Sequence, residues 1–326
     1  MQAQPLNRFA LLMSVATAML AGCGGSQPLI GAPGGMPNAS YPAPRNKHSQ
    51  TFSFTGDKQQ FQVPAGVRQV TVVASGASGP YGATSSYCTV VGGLGGVVKA
   101  TIPVTPGETL AVFVGGEGTI GAACGSQHGD GSGGFNGGGD GGRSGYGYIG
   151  DGGGGASDVR ERGSALSDRI LVAGGGGGGA RYHGGTAGAG GGRRGGAGGM
   201  GSGPGPVGGG GSGGTQKRGG RGGKASPYYG PPEAGHPGHH GSLCAGGEGG
   251  EGGMSLSGYG TSGGGGGGGG GGYYGGGGGG GGGGGEDGAP GGGGGGGSSY
   301  VKPGAINVKN KKGAAPPGNG QVVISW

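Results

Sequence analysis

The sequence predicts an all-β protein: an antiparallel sandwich or barrel carrying an inserted bundle of polyglycine II helices. Three observations lead there. Short period-2 segments rich in β-branched residues recur after residue 50, separated by turn signals. No window beyond the N-terminal segment shows a convincing helical period. Glycine fills 112 of 326 positions, which excludes a helical bundle, because each glycine costs ~1 kcal/mol in a helix relative to alanine. Hydrophobic residues at 30% and charged residues at 11% are too few for a conventional enzyme fold throughout. The glycines form unbroken runs at 263–272, 275–285 and 291–297. Collagen needs a strict Gly-X-Y period and is excluded too.

The chain opens on Arg8 followed by an apolar stretch, 9–20. This is too short for a membrane span of about 20 residues but suits the core of a signal peptide. Leu20-Ala21-Gly22-Cys23 resembles the lipobox of bacterial lipoproteins. That resemblance implies a signal peptide at 1–22, cleavage before Cys23, and acylation of Cys23 with palmitate-type chains as a membrane anchor. Gly24 in place of Asp implies the outer membrane over the inner. Residues 23–50, rich in Pro, Gly and Ser, read as a tether.

From residue 51 onward the pattern alternates. Phe52 and Phe54 share a face, then Phe61 and Val63, and Val63-Pro64-Ala65-Gly66 reads as a turn. Val70, Val72 and Ala74 follow, then Val98, Ala100, Ile102 and Val104. After the turn Thr105-Pro106-Gly107 come Leu110, Val112 and Val114. Arg169-Ile170-Leu171-Val172-Ala173 reads as a strand running straight into the glycines at 174–179. The chain ends with Val322, Ile324 and Trp326 on one face. Pairing of this last strand with the early ones places sandwich strands at about 51–116, 168–173 and 300–326, and a glycine-rich insertion at about 120–300.

Glycine runs have two available states, a flexible coil and polyglycine II. The latter is an extended threefold helix like polyproline II, but with its N–H groups free to bond neighbours. Ordering a residue costs ~1–2 kcal/mol of backbone entropy, more for glycine, while a net hydrogen bond contributes ~0.5–1.5 kcal/mol. A free-standing bundle is therefore marginal, and one clamped at its ends by a sandwich is favoured.

Several stretches resemble the glycine-rich domain family, whose animal members include the extracellular glycine-rich regions of the anaplastic lymphoma and leukocyte receptor tyrosine kinases. They are Phe52-Ser53-Phe54-Thr55-Gly56, Gln60-Phe61-Gln62-Val63-Pro64-Ala65-Gly66-Val67, Val70-Thr71-Val72, Val104-Thr105-Pro106-Gly107-Glu108-Thr109-Leu110, GGGGASDVR at 152–160, DRILVAGGGGGG at 168–179 and GNGQVVISW at 318–326. The resemblance spans 51–326. It implies a tumour-necrosis-factor-like, jelly-roll sandwich with an inserted polyglycine II bundle, and a structural role for Asp158 and Arg160. No kinase motif accompanies it, and the receptors' ligand binding does not carry over.

Candidate chemistry is sparse. His236, His239 and His240, between Glu233 and Cys244, carry metal-ligand chemistry. Their spacing matches no standard site, so a polar loop is the preferred reading. Asp130, Asp140, Asp151 and Asp158 recur among glycines but miss the GGxGxD calcium repeat. Asp158 is expected at a turn, capping backbone N–H groups. Arg193-Arg194 and Lys217–Gly223 resemble RGG boxes, but nucleic acid is not an expected partner of an exported chain. In an oxidising envelope a disulfide is expected. Cys88 and Cys124 are the nearest pair, worth roughly 3–4 kcal/mol, with other pairings open. No catalytic constellation or cofactor site stands out.

The functional expectation is a non-enzymatic, lipid-anchored envelope protein with a structural or adhesion-like recognition role. Its partners would be the membrane and a protein or glycan ligand. Tyr228-Tyr229 and Tyr273-Tyr274 are the expected recognition breaks. The alternatives are an ice-binding protein and a disordered glycine-rich spacer.

Overall fold

Alternating apolar residues bury one side of each strand, and the observed faces follow that alternation. The strands of the computed structural model are β1 (Ser49–Ser53), β2 (Gln59–Gln62), β3 (Gln69–Ser75), β4 (Tyr81–Ser85), β5 (Cys88–Val91), β6 (Val97–Pro103), β7 (Thr109–Phe113), β8 (Ser157–Glu161), β9 (Arg169–Ala173), β10 (Tyr300–Val301), β11 (Ile306–Lys311) and β12 (Gln321–Ser325). The structure describes residues 48–85, 88–121, 129–145, 147–180, 183–203, 207–226, 234–254, 262–285 and 288–326. The signal-peptide stretch, Cys23, Cys124, Tyr228-Tyr229 and the Cys88 side chain lie outside that description, and with them the expected lipid site and disulfide.

Two antiparallel five-stranded sheets, ordered β1-β12-β3-β6-β11 and β10-β9-β8-β7-β2, make an all-β sandwich. Strand β12 lies between β1 and β3, with Val322 opposite Phe52 and Ala74, so the two ends of the sandwich sequence zip together. Val72, Ala100, Ile102, Leu110, Leu171 and Ile324 are fully buried in the shared core. Trp326 closes it, its ring 5.1 Å from that of Phe61. The turn signals do what their residues dictate. Val67 N–H donates to Pro64 across Gly66 at φ 80°, and Glu108 N–H donates to Thr105 across Gly107 at φ 82°. These are the left-handed positions at which type II turns favour glycine.

Two expectations change. Strand β8 falls inside the stretch read as insertion and pairs with β7 and β9. Ser157-Asp158-Val159-Arg160 is buried on both faces, so it carries no polar alternation to mark it as a strand. Phe54 does not share the face of Phe52. Strand β1 stops at Ser53, and Phe54 turns toward Phe135 at 6.2 Å.

The glycine segments are extensions of the sandwich. Segments 76–79, 115–121 and 174–179 follow β3, β7 and β9. Segments 92–96, 150–155 and 291–297 lead toward β6, β8 and β10. All lie within the compact unit Asn46–Trp326. Their hydrogen bonds repeat every third residue. In the segment 263–272, Gly263, Gly266 and Gly269 donate to Gly253, Gly250 and Gly247. Gly264, Gly267 and Gly270 donate to Ala289, Gly292 and Gly295, and Gly265, Gly268 and Gly271 donate to Tyr148, Asp151 and Gly154, all at 2.8–2.9 Å.

The carbonyls of the same segment accept from Gly139 and Gly142, from Gly175 and Gly178, and from Gly276, Gly279 and Gly282. Three accepting and three donating segments thus surround one chain. No flat two-neighbour ladder has this geometry. The approach is so close that a Cβ on Gly276 would overlap the Gly295 carbonyl, and one on Gly269 would overlap that of Gly276.

Candidate functional site

Where the sandwich meets the glycine segments, two buried arginines organise the junction. Arg160 Nε donates to Asp158 Oδ1 at 2.6 Å and Nη2 to Oδ2 at 3.1 Å. Its guanidinium lies 3.8 Å from the Phe113 ring centre. Asn136 Nδ2 donates to Asp158 Oδ2 at 2.8 Å and to the Ala156 carbonyl at 2.7 Å. Among the described residues every partner of the carboxylate is thus a side chain, and both charges are buried.

Arg169 reaches across to the glycine segments. It donates to the carbonyls of Leu166 (2.9 Å), Gly272 (3.0 Å) and Tyr273 (3.2 Å). The ring of Tyr273 lies below its guanidinium and stacks on Tyr300 at 4.2 Å. Burial lowers the Arg169 pKa from its ordinary value. Beside it Cys244 adopts a left-handed φ of 73°. Burial pushes the Cys244 thiol up, and the nearby Arg169 charge opposes that rise.

The outer face of the bundle is built differently. Along the segments 219–226, 235–242, 245–253 and 139–143, hydrogen bonds join neighbours in that order: Gly238 to Gly223, His236 to Glu251, Gly249 to Asp140. The exposed side chains recur every third residue: Arg218, Arg221 and Lys224; His236 and His239; Glu248 and Glu251; Asp140 and Arg143. The last three rows line a cleft of about 560 Å³. In it His239 Nδ1 lies 3.5 Å from Glu248 Oε2.

These placements rearrange the sequence expectations. His236 and His239 line the cleft, whereas His240 Nδ1 accepts the Gly222 N–H at 2.9 Å. Cys244 sits at the junction, where its thiol faces Asn136. The histidines and Cys244 are therefore not gathered at one point. No group of three or more His, Cys, Asp or Glu side chains fit to hold a metal ion occurs among the described residues.

Asp158 is not at a turn and caps no backbone N–H among the described residues; it lies in β8 and pairs with Arg160. Capping falls to the other aspartates. Asp140 accepts from Gly133 N–H at 2.7 Å and Asp151 from Gly121 N–H at 2.9 Å. Asp130 accepts from Ser132 N–H and the Thr119 hydroxyl; the side chains of Ser132 and Thr119, and after them the Ser132 N–H, hold its pKa at about 2. Tyr273-Tyr274 is half-buried at the junction and is not an exposed recognition break. Sequence reading missed Asn136 and Arg169. Arg169 is the charged first residue of the otherwise apolar strand β9, and Asn136 carries no signal beyond a left-handed-tolerant residue next to glycine.

Comparison with protein-family models and with curated proteins finds no match to this chain.

Proposed function

We propose that this is a non-enzymatic, lipid-anchored envelope protein in which a jelly-roll, tumour-necrosis-factor-like sandwich holds a polyglycine II bundle as a rigid recognition surface. The observation that carries the reading is the threefold division of the bundle. Inward positions are glycine with bonded N–H groups, and outward positions carry Arg, Lys, His, Asp and Glu in rows. A three-residue hydrogen-bond repeat is the period of the polyproline II family of helices. Six hydrogen-bonded neighbours give every central segment a fixed position without side-chain packing. Such a surface resists deformation, so a ligand meets its charges already in place, and the ordering cost of binding is low.

The family resemblance at 152–160, 168–179 and 318–326 supports the same architecture, as does pairing of the last strand with β1 and β3. The bonded glycine N–H groups oppose a disordered spacer. The charged rows oppose a flat ice-binding face. The lipobox-like Leu20-Ala21-Gly22-Cys23 supports anchoring through acyl chains, each buried methylene contributing ~0.8 kcal/mol.

The test is cell fractionation with labelled palmitate, together with adhesion of the same cells to matrix-coated surfaces. Wild-type protein is expected in the envelope with label and to promote adhesion, and Cys23→Ser to lose all three. An unlabelled wild-type protein, or adhesion indifferent to it, contradicts the reading.

A further inference from the structure

The cationic row Arg218, Arg221 and Lys224 is placed by the backbone. Their carbonyls accept in turn from Thr215, Ser212 and Gly209 N–H groups of one neighbouring segment. Between them Gly220, Gly223 and Ser226 donate inward to Gly275, Gly278 and Gly281. Arg221 and Lys224 therefore share one orientation on the segment 219–226, Arg218 stands three residues earlier at the bend that leads into it, and all three are exposed. Three residues of threefold helix advance about 9 Å, which sets the spacing of the charges. At the row's start lies Lys217, also exposed, and Gln216 Nε2 ties this turn to the Arg193 carbonyl at 3.3 Å, bringing a further cation to the same end. None of these cations forms an ion pair among the described residues.

We propose that this row binds a linear acidic glycan, with one carboxylate engaging each successive cation. The inference rests on the ordered-bundle reading above. Residues 207–226 contain no aromatic side chain, and the imidazole of His240 beside the row accepts from Gly222 N–H, so no run of aromatic platforms of the kind that single-stranded nucleic acid uses follows the cations. Double-stranded DNA presents a charge every ~1.7 Å along its axis, far denser than this row. A glycan with one carboxylate per disaccharide presents widely spaced charges, as the row does. Arginine guanidinium groups fit carboxylates in a bidentate fashion.

The test titrates the full-length protein with hyaluronan, which has one carboxylate per disaccharide. Neutral dextran and oligo-deoxythymidylate serve as comparison probes, and glycine hydrogen exchange is recorded on the same samples. Engagement of the cations predicts weaker binding as salt is raised from 50 to 200 mM, because the exposed charge pairs are screened. R218Q/R221Q/K224Q is expected to bind at least tenfold more weakly, with its exchange pattern unchanged. K58Q/K99Q/K309Q removes the same charge from the sandwich and is expected to bind like wild type. Hyaluronan binding that survives in the row variant overturns the proposal, as does equal loss in the sandwich variant or stronger binding of the oligonucleotide. Protected glycines without hyaluronan binding overturn the glycan proposal alone. Unprotected glycines overturn the bundle reading beneath it.

Discussion

Asp158 and Arg160 bring two charges into a junction where glycine offers no side chains to solvate them. Their side chains are 0% and 6% exposed, so neither keeps water if the other is removed. Breaking such a pair from one side costs about 3–5 kcal/mol, because it leaves a buried charge unmatched. Arg160→Met should therefore lower unfolding free energy by about that amount in denaturant titration. A loss below about 1 kcal/mol would show that the pair is dispensable.

Glu117 behaves in the opposite sense. Burial raises its pKa, and the Ser78 hydroxyl, donating at 3.3 Å, offsets part of that rise. A carboxyl whose folded pKa exceeds its unfolded one binds its proton more tightly when folded. Its charged form thus costs stability at neutral pH, and the cost disappears as pH falls below the ordinary carboxylate range. Glu117→Gln, which keeps an acceptor for Ser78, should raise Tm at pH 7 and leave it unchanged near pH 3. An increase at both pH values would place the effect outside the ionisation of Glu117.

The strands and the glycine segments were legible to different degrees. Val70, Val72 and Ala74, or Val322 and Ile324, announce their buried face because the other face is wet. Strand β8 is covered on both sides, and its Asp158 and Arg160 imitate loop chemistry. Its strand character depends on β7 and β9, and local sequence carries no trace of that. The glycine runs announced an extended backbone, but partner choice is set by distant segments, since a glycine carries no side chain to encode a register. The surface rows were legible in principle, because Arg218, Arg221 and Lys224 stand three apart. The cleft was not, because it needs the neighbour order of three separate segments.

Two glycines are intolerant of a side chain for opposite reasons. At Gly276 a methyl group would meet the Gly295 backbone, which cannot give way without moving its own six-neighbour surroundings. Gly276→Ala should cost about 1–3 kcal/mol as overpacking and expose the neighbouring glycine segments to exchange. At Gly304 φ is 86° and nothing lies within 4 Å of an added Cβ. Gly304→Ala should cost about 1–2 kcal/mol through left-handed strain and leave bundle exchange untouched. Equal exchange patterns in the two variants would contradict the close packing at Gly276.

At the scale of the whole molecule, sandwich and bundle solve each other's problem. The sandwich supplies apolar burial and fixes both ends of the glycine segments. In return, Arg169 is satisfied by the carbonyls of Gly272 and Tyr273 at the bundle's edge. The segments are then held by backbone hydrogen bonds in three directions, and the large entropy of glycine is lost once, in a single cooperative unit. Hydrogen exchange resolved along residues 263–297 tests this most directly. These amides should be protected by a factor on the order of 10³ or more, rising and falling with the protection of β3 and β12 as denaturant is added. Exchange of the glycine amides within seconds, while β3 and β12 remain protected, would contradict it.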